Sequence, residues 1–451
     1  MTDHTFLLGT QVVNDAGHLE IGGCDATELA QQYGTPLFVM DEATLRGKMR
    51  ALKTAFEARR PGTEIIYASK AFPCLAMSRI VAQEGLWIDV ASAGELITAL
   101  RADFPRERIV FHGNNKSSDE LEMAVRAGVG RIVVDNETEM ATLDEISAAA
   151  GVRQPILLRL TPAVDPHTHH LIQTGRVDTK FGMNIEGGGA RHGLETALGY
   201  ENLEVKGLSS HIGSQILDAD FFQLAARLMI EFLAQAKAEL GFVVQELDLG
   251  GGLGIRYLPE DAPPSMEEYC SVLVGTVETQ CQKHNLEVPR LAIEPGRSIA
   301  GEAGTTLYCV GHVKRIPNVR NYVAVDGGIS DNPRPALYEA KYFAVNASRM
   351  NEDESETVTI SGKHCETDTL IVDAQIAPPQ IGDLIAVFST GAYNYSMASN
   401  YNRFRRPAVV LVNEGQSDII VERETLNDLL AHDLVPERLN PGQSSTQGSN
   451  S

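Results

Sequence analysis

Several kinds of protein are excluded by features that this sequence lacks. No run of about 18 apolar residues occurs, so we expect no membrane-spanning helix. The N-terminus, MTDHTFLLGT, has no basic region followed by an apolar core, so we expect no secretory signal peptide. The six cysteines include no CxxC pair. Their scatter argues against a disulfide scaffold or a zinc site and favours a reducing cytoplasm.

Positive charge is also scarce. The chain has 38 Lys and Arg residues against 60 Asp and Glu residues, a formal net charge of -22. Such an excess of negative charge argues against nucleic acid or an anionic membrane as a partner. A small anionic ligand is still possible in a locally basic pocket.

The sequence is rich in alternating strand and helix patterns. Its 451 residues, 43% of them hydrophobic, suffice for two or three domains. Eight apolar runs alternate with helix-length amphipathic segments; the runs are IIYASK, WIDVAS, RIVFHG, RIVVDN, PILLRL, VKGLSSHIG, ELDLGGG and RLAIEPG. This unbroken alternation predicts an α/β fold with a TIM-type (β/α)8 barrel. A doubly wound open sheet is the competing fold.

The remainder of the chain predicts a second domain. After Ala300, segments such as TTLYCVGHVKRI and DLIAVFST have strand composition and little helical periodicity. We expect an N-terminal segment (1–43) that adds strands to a β domain, a barrel (44–300), a C-terminal β-sandwich or β-barrel-like domain (301–430) and a disordered polar tail (431–451).

Lys70 stands at the end of the first barrel run. Burial there lowers the pKa of a lysine amine toward the range in which it is nucleophilic, as a Schiff-base lysine requires. A lysine that caps the strand and reaches solvent is the alternative from this stretch alone.

The other predicted strands also end in chemically active or glycine-rich positions. In this fold the carboxyl ends of the strands meet at one face, where active sites lie. The strand ends carry Lys70, Asp89, His112, Asn136, Arg159, His211, Gly250, Gly251, Gly252, Glu294, Gly296 and Arg297. An amine, carboxylates, imidazoles and glycine turns in one place predict an active site.

Pyridoxal phosphate is the ligand that best uses this set. The glycine turn at 250–252, with Gly296 and Arg297, offers backbone N–H groups and a cation to a phosphate; its spacing is not the GxGxxG of a dinucleotide site. Lys70 would form the Schiff base and Glu294 would pair with the pyridine nitrogen. His211 would lie against the ring, or alternatively is a strand-end histidine bonded to backbone.

Seven motifs follow one another along the chain: YASKA, HIGSQ, LDLGGGLG, EPGRS, RPALY, GKHCE and TGAYNYSMASNYN. In this order they resemble the fold-type III, alanine-racemase-like family of pyridoxal-phosphate enzymes, and within it the diaminopimelate decarboxylases. The resemblance extends to about Glu422. It departs from the family after Glu366, where Thr367-Asp368 replaces the common Ser-Gly-Asp and the loop is one residue shorter.

The resemblance implies how the cofactor is held. Lys70 is the Schiff-base lysine, His211 stacks on the ring and Glu294 bonds the pyridine nitrogen. Ser214 and Gly252 approach the phosphate.

The resemblance also implies how the substrate is held. Arg297 and Arg334, with Tyr338 beside them, bind the substrate's retained carboxylate, and Tyr393 touches both cofactor and substrate. Cys365 protonates the carbon from which carbon dioxide leaves, and Glu366 recognises the distal ammonium. In the family those last two residues come from the partner subunit, which implies a homodimer with shared active sites.

The implied reaction is decarboxylation of meso-2,6-diaminopimelate to L-lysine and carbon dioxide, the last step of lysine biosynthesis. Two arginines for a carboxylate and a carboxylate for an ammonium would reject lysine or ornithine, which lack the distal carboxylate. The alternatives are a decarboxylase of lysine, ornithine or a secondary-metabolite precursor, a racemase, and a non-catalytic pyridoxal-phosphate-binding paralogue. Intact Lys70, Cys365 and Glu366 count against the paralogue.

Two patterns have simpler interpretations. Many buried cysteines are small hydrophobes, which is the alternative for Cys365. The cluster His167, His169 and His170 has no carboxylate or cysteine ligand at matching spacing, so we expect a loop facing the substrate and no metal site.

Overall fold

A small three-stranded sheet, two helices and one further strand precede the barrel. The computed structural model describes residues 6–164 and 178–440, so the cluster His167, His169 and His170 lies outside the described residues. The elements before the barrel are β1 (Val12–Val13), β2 (Leu19–Ile21), β3 (Cys24–Asp25), α1 (Ala26–Tyr33), β4 (Leu37–Asp41) and α2 (Glu42–Arg59). Strands β1 to β3 form a small antiparallel sheet.

A closed parallel barrel follows. Its strands are β5 (Glu64–Ala68), β6 (Trp87–Val90), β7 (Ile109–Phe111), β8 (Arg131–Val134), β9 (Gln154–Thr161), β11 (Leu203–Ser210), β12 (Glu246–Asp248) and β13 (Arg290–Ile293), with β10 (Met183–Asn184) beside β9. Each of the eight pairs in parallel with its neighbours, and pairing of β13 with β5 closes the ring. All eight predicted runs are barrel strands, so the barrel prediction is confirmed and the open sheet is wrong.

A helix follows each of the eight barrel strands, and the last of these helices lies after the final strand. They are α3 (Leu75–Gln83), α4 (Ala93–Arg101), α5 (Ser118–Ala127), α6 (Glu137–Ala150), α7 (Gly189–Leu198), α8 (Asp220–Leu240), α9 (Met266–Lys283) and α10 (Arg297–Ala300). Several begin at a side chain that accepts a hydrogen bond from a free backbone N–H, as Ser92 does for α4, Ser117 for α5 and Asn136 for α6. Asn136 of the predicted strand-end set is therefore a helix cap.

Apolar side chains fill the inside of the barrel below the strand ends. Ile66, Val110, Val133, Leu157 and Ala292 form one buried cluster, contributed by five different strands. Their neighbours in sequence pack outward with the helices in a second, larger cluster. Side chains alternate across a strand, so this division fits a barrel with a solid interior and leaves the site at its carboxyl-end face.

The second domain is built on one nine-stranded sheet. Its elements are β14 (Gly304–Ile316), β15 (Arg320–Val325), α11 (Arg334–Tyr338), β16 (Ala344–Asn346), β17 (Glu356–Ser361), β18 (Thr369–Ile376), β19 (Leu384–Val387), β20 (Ala408–Asn413) and β21 (Gln416–Val421). The main strand order is β18-β17-β15-β14-β4-β20-β21, and β19 joins β14 to β16. Strand β4 lies between β14 and β20. The expected β domain with an N-terminal contribution is thus confirmed.

None of the helices in the described ranges is long and apolar enough to cross a membrane. The domain boundaries 1–43, 44–300, 301–430 and 431–451 stay predictions. Of the expected tail, residues 431–440 are exposed, and residues 441–451 lie outside the described part.

Candidate active site

Lys70 lies directly after strand β5 and reaches a carboxylate on the next strand. Its Nζ is 2.7 Å from Oδ2 of Asp89, which lies on β6 and is fully buried. The other oxygen of Asp89 accepts the N–H of Ser69, 2.9 Å away. Asp89 thus holds both the lysine and its backbone turn. The Lys70 side chain keeps 41% of its surface open, which leaves room for a group on the amine.

The charge of Lys70 differs from the sequence-based expectation. Burial disfavours the ammonium, but attraction to Asp89, and beyond it to Tyr393 and Glu294, outweighs burial and raises the pKa of Lys70. The expected lowering by burial is therefore wrong for the protein without a ligand, because β6 supplies a buried counter-charge 2.7 Å away.

Glu294, at the end of β13, lies against His112 and Asp248. Its Oε1 is 2.5 Å from Nε2 of His112. Neither atom has a hydrogen-bond partner of acceptable alignment among the described residues. Burial favours a neutral Glu294, but the attraction and close contact of His112, then the positive charge of Lys70, hold its pKa well below the usual range. Glu294 is thus a buried anion with one oxygen still without an aligned donor.

Asp248, at the end of β12, takes the opposite charge state. Burial and then repulsion from Glu294 raise its pKa well above the usual value. Its oxygens accept the hydroxyl of Ser209 at 2.7 Å and the N–H of Gly250 at 2.9 Å. The pKa values of the two adjacent carboxyl groups are thus shifted in opposite directions, Glu294 toward the anion and Asp248 toward the protonated form.

His211 follows β11 and is neutral. Burial, followed by repulsion from Lys70 and Arg159, lowers its pKa to about 3. The N–H of Gly251 donates to Nδ1 over 3.2 Å, so the ring proton is on Nε2. The alternative of a backbone-bonded strand-end histidine describes this contact correctly, and the contact also fixes the plane of the ring.

The glycine turn after β12 could hold no other residues. A Cβ on Gly251 would lie 2.0 Å from the carbonyl oxygen of Glu294, and one on Gly252, at φ +117°, would lie 2.7 Å from that of Gly213. The turn is therefore pressed against the neighbouring strand ends. A Cβ on Gly296 would likewise lie 2.9 Å from the Cβ of Ala68, beside the Lys70 turn.

Two buried guanidinium groups share one phenol. Arg297 donates from Nη2 to the Ser214 hydroxyl at 2.9 Å and from Nη1 to the Tyr257 hydroxyl. Arg334 donates from Nη1 to the same Tyr257 hydroxyl at 2.9 Å and to Tyr342 at 2.5 Å. Burial raises the pKa of the Tyr257 phenol, but the positive charges of Arg297 and Arg334 outweigh burial, so the pKa is lowered overall.

No carboxylate of residues 6–164 or 178–440 forms an ion pair with either arginine. The Nε of Arg334 is a buried donor without a partner in those ranges. Two adjacent cations that lack a counter-anion form a site suited to a small carboxylate or phosphate.

Tyr393 and Tyr338 reach this region differently. Tyr393, at φ +61°, donates its backbone N–H to the carbonyl of Ala71 over 2.9 Å, and its ring lies 4.8 Å from the guanidinium carbon of Arg297. It therefore joins the β domain to the Lys70 turn. Tyr338 ends helix α11, one turn after Arg334, and is half-buried.

Cys365 and Glu366 lie on the loop between β17 and β18, and both are exposed. The Cys365 N–H donates to Asn402 over 3.0 Å, and Glu366 accepts the hydroxyl of Tyr401 at 2.5 Å. The alternative of Cys365 as a buried hydrophobe is wrong, because Cys365 is exposed, whereas the other five cysteines, all within the described ranges, are buried or half-buried.

One group of donors near Lys70 has the spacing of a cation site. Ligand atoms of Asp89, His112 and Glu294 lie within 4.8 Å of one another. Asp89 is paired with Lys70 and Glu294 faces His112, so these groups already compensate one another. Arg159, another residue of the predicted strand-end set, lies on the opposite side of the barrel's carboxyl-end face. Its Nε is 3.9 Å from Oδ1 of Asp135, and its guanidinium carbon is 4.3 Å from the centre of the Phe181 ring.

These groups fit pyridoxal phosphate. Its aldehyde needs an amine with free surface, which Lys70 has. Its pyridine nitrogen needs a buried anionic acceptor, which the carboxylate of Glu294 supplies beside His112. The neutral, fixed imidazole of His211 suits contact with a ring face, and the tight glycine turn suits close backbone approach of a phosphate.

Sequence reasoning missed three residues of this site: Asp248, Tyr257 and Tyr342. Asp248 stands in the LDLGGGLG motif and could have been found there, as the carboxyl before the turn. Tyr257 and Tyr342 stand in irregular segments with no periodic signal. Tyr342 is four residues past Tyr338, the tyrosine that had been expected beside Arg334.

Comparison with known proteins agrees with this geometry. The family model described as pyridoxal-dependent decarboxylase, pyridoxal binding domain, matches residues 42–301. The diaminopimelate decarboxylase of Bacillus subtilis is 48% identical over 430 residues, 95% of this chain and 98% of its own. That of Bacillus methanolicus is 50% identical over 92% of this chain and 96% of its own. The crystal structure of the M. jannaschii diaminopimelate decarboxylase with L-lysine superposes with a TM-score of 0.90 at 36% identity, covering 96% of this chain and 99% of its own.

Proposed function

We propose that this chain, which belongs to the diaminopimelate decarboxylases within the pyridoxal-dependent decarboxylase family, converts meso-2,6-diaminopimelate to L-lysine and carbon dioxide. The observation that carries the proposal is the pair of buried guanidinium groups around Tyr257 that lack a carboxylate partner in the described ranges, beside a lysine and an anionic glutamate. This pair suits a carboxylate-bearing substrate at the mouth of a pyridoxal-phosphate site.

The residues that would hold pyridoxal phosphate are Lys70 at the aldehyde, Glu294 at the pyridine nitrogen, His211 at the ring face, and Ser214 with the turns at Gly250, Gly251, Gly252 and Gly296 at the phosphate. When bound, the cofactor supplies a conjugated, protonated ring that delocalises the electron pair left when carbon dioxide departs. Glu294, whose pKa is held well below the usual range, would keep the proton on the ring nitrogen. Asp248, whose pKa is shifted the other way, would not compete for that positive charge.

Asp89 and His211 prepare the reacting end of the site. Asp89 orients Nζ of Lys70 through the 2.7 Å contact and stabilises its positive charge. His211, held by Gly251, presents a neutral ring that does not repel a cationic cofactor. Tyr393 closes the side next to Lys70 through its bond to Ala71.

Substrate selection would fall to the groups farther from Lys70. Arg297 and Arg334 would bind the retained carboxylate, with Tyr338 beside them, and Glu366 would bind the distal ammonium. Lysine and ornithine would leave the buried guanidinium groups without their anion, which is costly in a buried site. This favours diaminopimelate over both.

Cys365 and Glu366 support the proposal of a homodimer with shared active sites. Both are exposed on their own subunit, on a β-domain loop. In a dimer such a loop could enter the partner's site, where the Cys365 thiol would donate its proton to the carbon. Six free thiols also suit the proposed location in a reducing cytoplasm.

Carbon dioxide release tests the proposed substrate. The enzyme, supplied with pyridoxal phosphate, is assayed with meso-diaminopimelate, lysine, ornithine and arginine. We expect kcat/KM for diaminopimelate to exceed the others by at least about 10⁴, the discrimination typical of a site that leaves buried polar groups unpaired. Faster turnover of lysine would show that Arg334 and Glu366 do not read the distal end.

Two substitutions separate the roles of the reacting residues. Lys70→Ala should abolish the visible absorbance of the bound cofactor, and an unchanged spectrum would remove Lys70 from the site. Cys365→Ala should leave that absorbance intact while slowing lysine formation by about 10²-fold or more, as for loss of a general acid. Equal losses of absorbance and activity would instead indicate a structural cysteine.

A further inference from the structure

The loop that carries Cys365 and Glu366 is anchored on both sides by buried groups. His364 and Asp368 flank the exposed stretch, and their side chains are 0% and 2% exposed. Nδ1 of His364 lies 2.7 Å from Oδ2 of Asp368, which also accepts the His364 N–H at 2.9 Å. The other oxygen accepts the N–H of Ile329 at 2.7 Å. The shortened loop after Glu366 is therefore tightly fixed at its base.

Asp368 also joins this loop to the segment that leads to Arg334. Ile329 lies five residues before Arg334. The Asp368 carboxylate therefore contacts the segment that leads to Arg334 as well as the loop that carries Glu366, the two residues proposed to bind the substrate. Gly328 packs between them: a Cβ there would lie 2.2 Å from Asp368 and 2.6 Å from His364.

Tyr401 continues this arrangement outward. Its ring is stacked on His364 with centroids 5.9 Å apart and planes 8° apart, and Phe404 packs edge-on against the same imidazole at 4.8 Å. The Tyr401 hydroxyl then donates to Oε1 of Glu366 at 2.5 Å. An exposed glutamate is thus given one defined orientation by a tyrosine that rests on a fixed imidazole.

We propose that Tyr401 is a specificity-determining positioning residue, which orients Glu366 for the distal ammonium of the substrate from a base made by His364 and Asp368. This inference rests on the proposed function. The hydroxyl engages Oε1 and leaves Oε2 for the ammonium. A glutamate side chain otherwise populates many rotamers, and each bound ammonium would have to select one of them. Fixing the carboxylate beforehand therefore increases affinity for the diamino substrate without touching the reacting carbon.

The test compares two ligands that differ only at the distal amine. KM is measured for meso-diaminopimelate, and the inhibition constant is measured for 2-aminopimelate, which keeps both carboxylates and lacks the distal ammonium. In Tyr401→Phe we expect KM for diaminopimelate to rise about tenfold, the typical value of one hydrogen bond to a charged group. The inhibition constant of 2-aminopimelate and kcat should change by less than about threefold.

Tyr33→Phe is the matched control. It also removes one hydroxyl, which lies on helix α1 and bonds Ser417 of strand β21 at 2.9 Å, outside the residues assigned to the site. Both constants should stay at the native values in this variant.

A double substitution tests the partner. Glu366→Gln should raise KM for diaminopimelate, and adding Tyr401→Phe should then have little further effect, because the two residues act through one contact. Additive effects, or an equal rise of both ligand constants in Tyr401→Phe, would overturn the assignment and indicate a general structural role. Failure of the native enzyme to turn over diaminopimelate would instead overturn the proposed function and the assignment with it.

Discussion

The charge states of Asp248 and Glu294 lead to a contrast between two similar substitutions. The pKa of the fully buried Asp248 is raised well above its usual value, whereas that of Glu294 beside it is lowered, so we expect Asp248 to be the protonated member of the pair and Glu294 the ionised one. Asp248→Asn therefore replaces one neutral group by another of the same shape. Glu294→Gln replaces an anion by a neutral amide. We expect the first change to be mild and the second to be severe.

The magnitudes follow from the contacts of each residue. Asp248 accepts two hydrogen bonds, at 2.7 Å from Ser209 and 2.9 Å from Gly250. The Asn oxygen can accept the Gly250 N–H, and its amide can donate to the Ser209 hydroxyl, so the free energy of unfolding should change by less than about 1 kcal/mol. Asp248→Ala leaves both donors buried without a partner and should cost about 2 to 6 kcal/mol.

The pH dependence sharpens the contrast. A carboxyl group whose folded pKa is raised stabilises the fold fully only below its unfolded pKa of 3.8, and that contribution is lost as pH rises toward the folded pKa. Asparagine has no such titration. Asp248→Asn should therefore be at least as stable as the native protein at pH 7, and its stability should vary less above pH 4.

Denaturant unfolding of the apo proteins and cofactor titration by absorbance measure both effects. Asp248→Asn should retain kcat within about fivefold, whereas Glu294→Gln should lower it by about 10² or more, as for loss of a buried group that stabilises developing charge. If Asp248→Asn were strongly destabilised or inactive while Glu294→Gln kept its stability and activity, the charges would be assigned the wrong way round.

Three further substitutions probe other parts of the molecule. Glu246 is buried between Arg131 and Arg290 at the amino ends of the barrel strands, and Glu246→Gln should lower the free energy of unfolding by about 3 kcal/mol at pH 7 in denaturant melts. The pKa of Glu246 is lowered in the folded state, so acid removes this stabilisation and the difference between the two proteins should shrink as pH falls below 4.5. A difference that stays constant with pH would contradict that cause. His211, half-buried and neutral, should make the native fold lose stability as pH falls from 6.5 toward about 3, and His211→Asn should flatten that part of the pH profile; an unchanged profile would place the titration elsewhere. Tyr342→Phe removes the hydroxyl that accepts a hydrogen bond from Arg334 at 2.5 Å, and it should raise KM for diaminopimelate about five- to tenfold while the absorbance spectrum of the bound cofactor stays unchanged. A changed spectrum would place Tyr342 at the cofactor instead.

The barrel was predictable because its strands leave two independent traces in the sequence. Strands buried on both faces are apolar along their length, and the residues at their carboxyl ends are polar because they line a site. The run from Ile65 to Ala68 followed by Lys70, and the run from Trp87 to Val90 that contains Asp89, show both traces. Neighbouring parallel strands then bring Lys70 and Asp89 into contact without further information.

The groups around Arg334 could not be predicted in that way. Tyr257 lies in an irregular segment after the glycine turn, and Tyr342 lies between α11 and β16. Neither tyrosine therefore belongs to a helix or strand whose periodicity would predict where its side chain points. Their hydroxyl groups both accept a hydrogen bond from Arg334, because loops of the two domains come together in space. Tyr257 and Arg334 are 77 residues apart in the sequence. The charge of Lys70 was mispredicted for a related reason: burial is visible in an apolar run, but the distance to a counter-charge is not.

The shared phenol of Tyr257 has a consequence for how this enzyme could be rebuilt. One of its guanidinium partners, Arg297, follows a barrel strand, and the other, Arg334, belongs to the β domain. The cofactor handles Lys70 and Glu294 lie on the barrel alone. Grafting another β domain onto this barrel would therefore keep the residues that hold the cofactor but replace Arg334 and the loop that carries Cys365 and Glu366, so the graft must supply a proton donor as well as a partner for the Tyr257 hydroxyl.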